Sequence, residues 1–200
     1  FLATFLSFGS GNIRIFKSDM RIFYPFFLPN KPFLFIINGM SVAILMGSDS
    51  DLDVVSKAFD VLDSFDVKYT KNVLSAHRTP AEVLNLVTNA ESTGIKVFIA
   101  AAGMAAHLAG VVAAHTTLPV IGIPIPSGSL NGMDSLLSTV QMPPGIPVAT
   151  VAIGSSGAKN AAILAVQILS TADENLKQKL SDYKVNMKEE VLDKDAKLNS

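Results

Sequence analysis

The sequence predicts an α/β protein in which parallel strands form an open, doubly wound sheet covered by helices on both faces. From Ser41 onward, short apolar segments rich in β-branched residues alternate with longer segments of helical period, as in repeated strand–helix–strand units. Most of the strand segments are apolar throughout, which is typical of parallel strands buried on both faces. The chain has 200 residues, 49% of them hydrophobic, which is enough for one domain with a sizeable core.

The elements follow one another in a regular order. Continuous apolar runs identify four of the five strands, and the second strand is more polar. The predicted strands are Val42–Met46, Val67–Val73, Lys96–Ala101, Pro119–Ile123 and Val148–Ile153. Helical spacing of apolar residues predicts helices at Leu52–Ser64, Pro80–Thr93, Met104–Ala114, Met133–Gln141, Ala158–Ser170 and Ala172–Lys188.

Two of these helices begin with the spacing of a capping box. Thr79 precedes Pro80, which suits the first helical position, and Glu82 stands where a carboxylate reaches back to the cap. Thr171 and Glu174 repeat the same spacing before the last helix. We therefore expect both threonines to cap their helices.

Residues 1–39 differ from the rest of the chain, since the segment up to Met40 holds nine of the twelve phenylalanines. Its apolar runs are broken by prolines and polar residues before they reach the roughly 18–20 residues that span a bilayer, so no membrane helix is predicted. An organelle-targeting leader is one interpretation, and a read-through or lineage-specific extension is the other. We divide the chain into an extension of residues 1–39, a functional domain of residues 40–188 and a charged tail of residues 189–200.

Composition narrows the choice of ligand. A net charge of -1 and a pI near 6.3 offer no basic surface for nucleic acid, so a small molecule is the expected partner. The mean hydropathy of +0.40 is high, and the apolar extension accounts for much of it. Because the chain has no cysteine, thiol nucleophiles, cysteine zinc sites and disulfides are excluded, and a reducing, cytoplasmic location is predicted.

The loops after the strands are where a ligand should bind, because the carboxyl ends of the strands meet at one edge of such a sheet. The first loop, Gly47–Asp51, supplies a flexible glycine and two serine hydroxyls before a helix N-terminus, an arrangement that suits a phosphate group. A structural interpretation is also open, in which Ser50 or Asp51 merely caps the helix.

The second loop contains Ser75, Ala76, His77 and Arg78, and it is the strongest candidate site in the sequence. An imidazole exchanges protons near neutral pH, and a guanidinium binds phosphate through two parallel hydrogen bonds. The alternative is a pair of ordinary surface side chains, and on local sequence the two interpretations are balanced.

The third and fourth loops give weaker signals. Small residues around Gly103 allow a flat ligand to approach the backbone, whereas His107 is interpreted as a hydrogen-bonded packing residue rather than a site residue. His115 is expected to sit at a helix C-terminus with no catalytic role. The fourth loop, Pro124–Gly132, either closes over a ligand or serves as a plain connector.

Several common chemistries lack their motifs. The chain has no glycine-rich dinucleotide fingerprint, no nucleoside triphosphate loop, no HExxH segment and no GxSxG segment, and its three histidines lack metal-ligand spacing. Proton chemistry without a metal is what these exclusions leave.

Four separated segments resemble one family, the 5-(carboxyamino)imidazole ribonucleotide mutases of purine biosynthesis, also described as the catalytic subunit of phosphoribosylaminoimidazole carboxylase. The segments are MGSDSD at Met46–Asp51, SAHRTP at Ser75–Pro80, AGMAAHLAG at Ala102–Gly110 and DSLLSTVQMPPGIPVATVAIG at Asp134–Gly154. The resemblance runs from about Val42 to Tyr183 and leaves the N-terminal extension outside.

The resemblance implies a flavodoxin-like three-layer α/β/α sandwich with a five-stranded parallel sheet, assembled as a homo-octamer. It implies that His77 is the general acid/base of a carboxyl transfer from the exocyclic amine to a ring carbon, with no cofactor. The substrate-binding positions that it implies are Ser48, Asp51 and Arg78, with Ser50, Ser75, Ala76 and Gly103 nearby.

The chain departs from the family pattern at a few positions. Met104 and Ala109 stand where many members have glycine and proline, and Ser155 and Ser156 replace a lysine and an alanine. These differences bear on substrate affinity rather than on the type of reaction.

Two other functions remain open. A direct carboxylase of the same fold would use aminoimidazole ribonucleotide and free carbon dioxide, although Asp134–Gly145 resembles the mutase branch better. A binding module without turnover would need only the Gly47–Asp51 loop.

Overall fold

The computed structural model describes residues 41–200, so the predictions made for the N-terminal extension lie outside the described residues. A five-stranded sheet, with all strands parallel, runs through this part of the chain in the order β2-β1-β3-β4-β5. The strands are β1 Ser41–Met46, β2 Lys68–Val73, β3 Ile95–Gly103, β4 Val120–Ile125 and β5 Ala149–Thr150. This strand order is that of a flavodoxin-like fold and confirms the predicted fold class.

Helices connect the strands and cover the sheet. They are α1 Leu52–Ser64, α2 Pro80–Thr88, α3 Leu108–Ala114, α4 Met133–Val140, α5 Ser155–Ser170 and α6 Glu174–Leu198. Short 3-10 turns lie at Asp49–Asp51, Glu91–Thr93 and Gly128–Leu130. None of the helices in residues 41–200 is long and apolar enough to cross a membrane.

Alternation along the buried strands divides the core into two halves. Val42 and Ile44 of β1 pack with α1 and α5 on one face, whereas Ala43 and Leu45 pack with α2 and α3 on the other. All six residues of β1 and of β4 are buried. Residues that are apolar throughout a strand therefore mark a sheet covered on both sides, as the sequence predicted.

The fifth strand and the third helix differ from their predicted bounds. The fifth strand has two residues rather than six: Val151 and Gly154 still donate hydrogen bonds to the carbonyl oxygens of Gly122 and Pro124, at 3.1 and 2.9 Å, but outside a regular ladder. β5 has a partner on one side only, which leaves its geometry weakly constrained. The third helix begins at Leu108, because the chain continues as strand to Gly103 before turning.

The ends of two other helices also differ from the prediction. The second helix stops at Thr88, and a separate 3-10 turn ends at Gly94, which has a φ of 85°. The last helix continues to Leu198, so most of the predicted charged tail is helical. Neither glycine nor proline interrupts this segment, and its many lysine and glutamate residues favour a helix.

Neither predicted threonine cap forms. Thr79 precedes α2, but its Oγ1 accepts from the Ser75 N–H at 2.8 Å and donates to the Ser75 carbonyl at 3.1 Å, so it is used in the preceding loop. Thr171 lies at the C-terminus of α5, and Asp173 caps α6 by accepting from the backbone of Asn175 and Leu176. Sequence spacing alone therefore does not show whether a hydroxyl caps a helix, because contacts with neighbouring loops can engage it instead.

Candidate active site

A cleft of about 520 Å³ opens at the carboxyl edge of the sheet, where the loops after β1, β2, β3 and β4 meet. This is within the range of small-ligand sites. All eight residues predicted for the site line it: Ser48, Ser50, Asp51, Ser75, Ala76, His77, Arg78 and Gly103. The cleft therefore lies where the sequence predicted it, at the loops that follow the strands.

The loop after β1 is a tight polar turn. Ser48 caps the 3-10 turn, since its Oγ accepts from the Ser50 N–H at 3.3 Å while its own N–H donates to Asp51 Oδ2 at 3.3 Å. The Ser50 hydroxyl donates to the Ser48 hydroxyl at 2.9 Å. The capping interpretation named Ser50 or Asp51. Asp51 holds the N-cap position of α1 but makes no side-chain capping hydrogen bond there, and Ser48 rather than Ser50 caps the 3-10 turn before it. The same contacts hold both hydroxyls at the mouth of the cleft.

Asp51 is a buried carboxyl group, with 8% of its surface exposed. Burial raises its pKa above the ordinary value of 3.8, and this effect outweighs the hydrogen bonds from Ser48 and Ser50 and the charge of Arg78, which favour the ionised form. The folded chain therefore holds the Asp51 proton more tightly than the unfolded chain. Its contribution to stability is present below pH 3.8 and is lost as the pH rises through the folded-state pKa.

Replacing Asp51 by asparagine is expected to raise the unfolding temperature at neutral pH, because it removes a charge that burial penalises and keeps a hydrogen-bond acceptor. The gain should shrink as the pH falls toward 3.8, because protonation increasingly removes the same charge from the wild-type carboxyl. Thermal unfolding across this pH range measures the effect. Asp49→Asn is the control, since Asp49 is exposed in the same turn. An Asp51→Asn chain less stable than wild type at neutral pH would contradict the burial argument.

The loop after β2 is organised around Ser75. Its Oγ accepts from the backbone N–H groups of His77 and Arg78, at 3.3 and 3.2 Å. The Arg78 guanidinium donates to the carbonyl oxygen of Gly47, which ties this loop to the one after β1. Because this bond holds the Arg78 guanidinium beside the loop after β1, Arg78 needs little reorganisation to receive an anion there.

His77 lies beside His107, which the sequence assigned to packing. The His77 Nε2 and His107 Nδ1 atoms are 2.8 Å apart, and the two rings meet edge to face at 88°. Both side chains are exposed in the cleft, so the packing interpretation of His107 is wrong. The position of His107, shortly after the carboxyl end of a central strand, was the signal that pointed to the site.

This histidine pair constrains the location of protons. One ring nitrogen must donate and the other accept in a hydrogen bond of this length, so the bond forms only when at least one of these two nitrogens is unprotonated. His115, by contrast, ends α3 and donates from Nδ1 to the Val111 carbonyl at 2.8 Å, as its predicted position at a helix end requires.

Met104 forms a strained wall of the cleft. Its φ of 54° lies in the left-handed region that favours glycine, and 61% of its surface is exposed. Glycine at this position in many family members would adopt the same backbone without strain. Met104 instead places a flexible thioether side chain along the cleft, close to Gly128 of the fourth loop.

Ser127 is a lining residue that the sequence did not single out. It follows β4 in the loop that the sequence left as either a lid or a connector. No motif marks it, because its relation to Gly103 arises only from the pairing of β3 with β4.

A flavodoxin-like sheet with an arginine, a serine turn and a histidine pair at its carboxyl edge defines the class: an α/β enzyme acting on a small anionic molecule. Residues 41–190 match the model of the AIR carboxylase family, and the chain belongs to that family. This confirms the resemblance found in the four sequence segments.

Characterised relatives agree with this assignment. The chain is 56% identical over 152 residues to an N5-carboxyaminoimidazole ribonucleotide mutase of Bacillus subtilis, covering 76% of this chain and 94% of the relative. It is 49% identical over 156 residues to the mutase of Escherichia coli, covering 78% and 92%. The crystal structure of Treponema denticola PurE superposes with a TM-score of 0.74 at 32% identity, covering 81% of this chain and 100% of that one.

Proposed function

We propose that the chain converts 5-(carboxyamino)imidazole ribonucleotide to 4-carboxy-5-aminoimidazole ribonucleotide in purine biosynthesis, with His77 as the general acid/base. The observation that carries this proposal is the convergence of His77, Arg78 and Ser48 on one cleft in a chain whose relatives are named as mutases of that substrate. The reaction requires a group that binds the substrate phosphate and a group that transfers a proton.

Substrate binding is divided between the two polar loops. The hydroxyls of Ser48 and Ser50 and the Arg78 guanidinium receive the 5-phosphate, since they lie at the same end of the cleft and can donate charge-assisted hydrogen bonds. Asp51 accepts hydrogen bonds from ribose hydroxyls. Ser75 and Ala76 position this loop, and Gly103 allows the flat base to approach the backbone.

The carboxyl shift proceeds in two balanced steps. The bond between the exocyclic nitrogen and the carboxyl carbon breaks, its electron pair stays on nitrogen, and protonated His77 delivers a proton to that nitrogen. The enamine-like ring carbon then attacks the retained carbon dioxide, a carbon–carbon bond forms, and the proton of that ring carbon returns to His77. No net proton is consumed, and His107 holds the His77 ring in place through the 2.8 Å contact.

Retention of carbon dioxide is the second requirement. The intermediate is neutral and has little to bind it, so the cleft must limit its escape. Ala102, Met104 and Ala105 form an apolar wall of the cleft that offers no competing nucleophile.

Genetic complementation tests the proposed function. The chain is expected to restore growth without purines, in ordinary air, to a bacterium that makes the carboxyamino substrate but lacks its own mutase. Growth that depends on raised carbon dioxide would indicate the direct carboxylase instead. Soluble protein with no growth under either condition would contradict both.

We also propose a cytoplasmic homo-octamer, as the family resemblance implies. Exposed apolar side chains on and before α4 support self-association, since Leu130, Met133, Leu137 and Val140 are each about half exposed or more. Sedimentation velocity should give a particle of eight chains. A monomer at micromolar concentration would contradict this part of the proposal.

A further inference from the structure

Ser127 has a hydroxyl group that makes no hydrogen bond within the protein. Its backbone is extended, with φ -150° and ψ 161°, and it precedes the turn Gly128–Leu130, yet its side chain caps nothing. In residues 41–200, Ser127 Oγ is the only buried side-chain nitrogen or oxygen with no hydrogen bond. A buried hydroxyl in this state costs free energy unless something else supplies the missing partner.

The other buried hydroxyl groups show how unusual this is. Ser41 donates to the Gly94 carbonyl at 3.0 Å, and Thr139 donates to the Ser135 carbonyl at 2.7 Å. Ser135 lies within 2.9 Å of two carbonyl oxygens. The fold therefore satisfies its structural hydroxyls within the backbone, and Ser127 stands apart from them.

The surroundings of Ser127 point to a ligand in the cleft. Its hydroxyl lies so close to Gly103 that a Cβ atom added there would be 2.2 Å from Ser127 Oγ, so only glycine leaves room for it. Ser127 also lines the same cleft as His77 and Arg78. Ser127 follows β4, on one side of β3. The loops after β1 and β2, which contain Ser48 and Arg78, lie on the other side of β3.

The position of Ser127 agrees with the order of the groups along the proposed substrate. An aminoimidazole ribonucleotide carries its phosphate at one end and the migrating carboxyl group on the base at the other. With the phosphate near Arg78, the base extends past the histidine pair toward β3 and β4. The side chains there, Met104 and Ala105, carry no charge, so Ser127 is a neutral donor in an otherwise apolar wall.

We propose that Ser127 Oγ donates a hydrogen bond to the migrating carboxyl group, and so helps to retain carbon dioxide between the two steps. The inference rests on the proposed function. An oxygen acceptor is present throughout the reaction, as carbamate, carbon dioxide and ring carboxylate in turn, so one hydroxyl can serve all three. A neutral donor suits this role because it can hydrogen-bond each form in turn without binding the carboxylate product too tightly.

The test compares Ser127→Ala with two serine controls in purified full-length protein. One measurement is the unfolding temperature without ligand. The other is leakage: the aminoimidazole ribonucleotide released per molecule of carboxylated product formed from the carboxyamino substrate, after subtraction of breakdown without enzyme. Ser135→Ala removes a satisfied buried hydroxyl, and Ser129→Ala removes an exposed one from the same loop.

Ser127→Ala is expected to keep or raise the unfolding temperature while increasing leakage by about tenfold, the size expected for one neutral hydrogen bond. Ser135→Ala should do the reverse, with a lower unfolding temperature and wild-type leakage, and Ser129→Ala should change neither. A Ser127→Ala protein with wild-type leakage would overturn the inference, whatever its stability. Leakage that rises equally in Ser135→Ala would overturn it too, because any loosening of the loop would then suffice.

The two proposals fail in different ways. Wild-type protein that forms carboxylated product while Ser127→Ala leaks no more than wild type would refute the role of Ser127 and leave the mutase function intact. Wild-type protein that forms no product from the carboxyamino substrate would refute the proposed function and this inference together.

Discussion

Replacing His77 by asparagine is expected to lower kcat by about 10²–10⁴-fold, the usual contribution of a general acid/base. The asparagine amide is similar in size and can still contact His107, but it cannot carry a proton. Substrate binding should largely survive, because the proposed phosphate and ribose contacts are made by the loop after β1 and by Arg78, which line the same cleft. Steady-state kinetics and calorimetric binding of the product measure the two effects separately.

His115→Asn is the matched control, since His115 ends α3 outside the cleft and should leave kcat unchanged. The same comparison distinguishes an enzyme from a binding module, in which neither histidine would matter. Unchanged turnover in His77→Asn would refute the acid/base role. A large loss of binding would show that His77 acts through substrate affinity instead.

Replacing Arg78 by methionine is expected to raise KM by roughly 10–150-fold, which corresponds to the loss of hydrogen bonds to a charged group. Methionine keeps the apolar stem but loses the bond to the Gly47 carbonyl that holds the two loops together, and with it the proposed phosphate contact. The fall in kcat should be smaller, because the proton carrier remains. Initial rates over a range of substrate concentrations measure both constants.

Arg78→Lys gives an independent check of the geometry. It keeps the charge but not the planar fork, so its KM should lie between those of wild type and Arg78→Met. If both variants lowered kcat and left KM unchanged, Arg78 would be acting in the chemical step rather than holding phosphate.

Strand periodicity and strand order explain why the fold and the position of the cleft could be predicted. Runs such as Val42–Met46 are apolar throughout because helices cover both faces of the sheet, and parallel strands bring the loops that follow them to one edge. Once β1 and β2 were placed, Ser48 and His77 had to be close. No long-range information was needed for that step.

The errors occurred where a residue's role depends on a distant partner. His107 looked like a packing residue until β3 placed it 2.8 Å from His77, and Ser127 carried no signal until β4 placed it against Gly103. Thr79 had the spacing of a helix cap, but Ser75 engages its hydroxyl. These contacts form only in the folded chain, so the local sequence did not predict them.

Two features of the site cost free energy of folding. Met104 adopts a left-handed backbone that glycine would take without strain, and Ser127 keeps a buried hydroxyl unpaired. Both line the cleft, on the side away from the loops after β1 and β2. The strained backbone of Met104 and the unmet hydrogen bond of Ser127 support the proposal that the substrate reacts at this edge.

The central claim is that this cleft moves a carboxyl group within one substrate molecule. The most direct measurement is the initial rate at which the purified chain forms 4-carboxy-5-aminoimidazole ribonucleotide from two starting materials. One is the carboxyamino ribonucleotide, and the other is aminoimidazole ribonucleotide with bicarbonate. The account predicts a much faster rate from the carboxyamino ribonucleotide. Equal rates, or a faster rate from aminoimidazole ribonucleotide with bicarbonate, would contradict it.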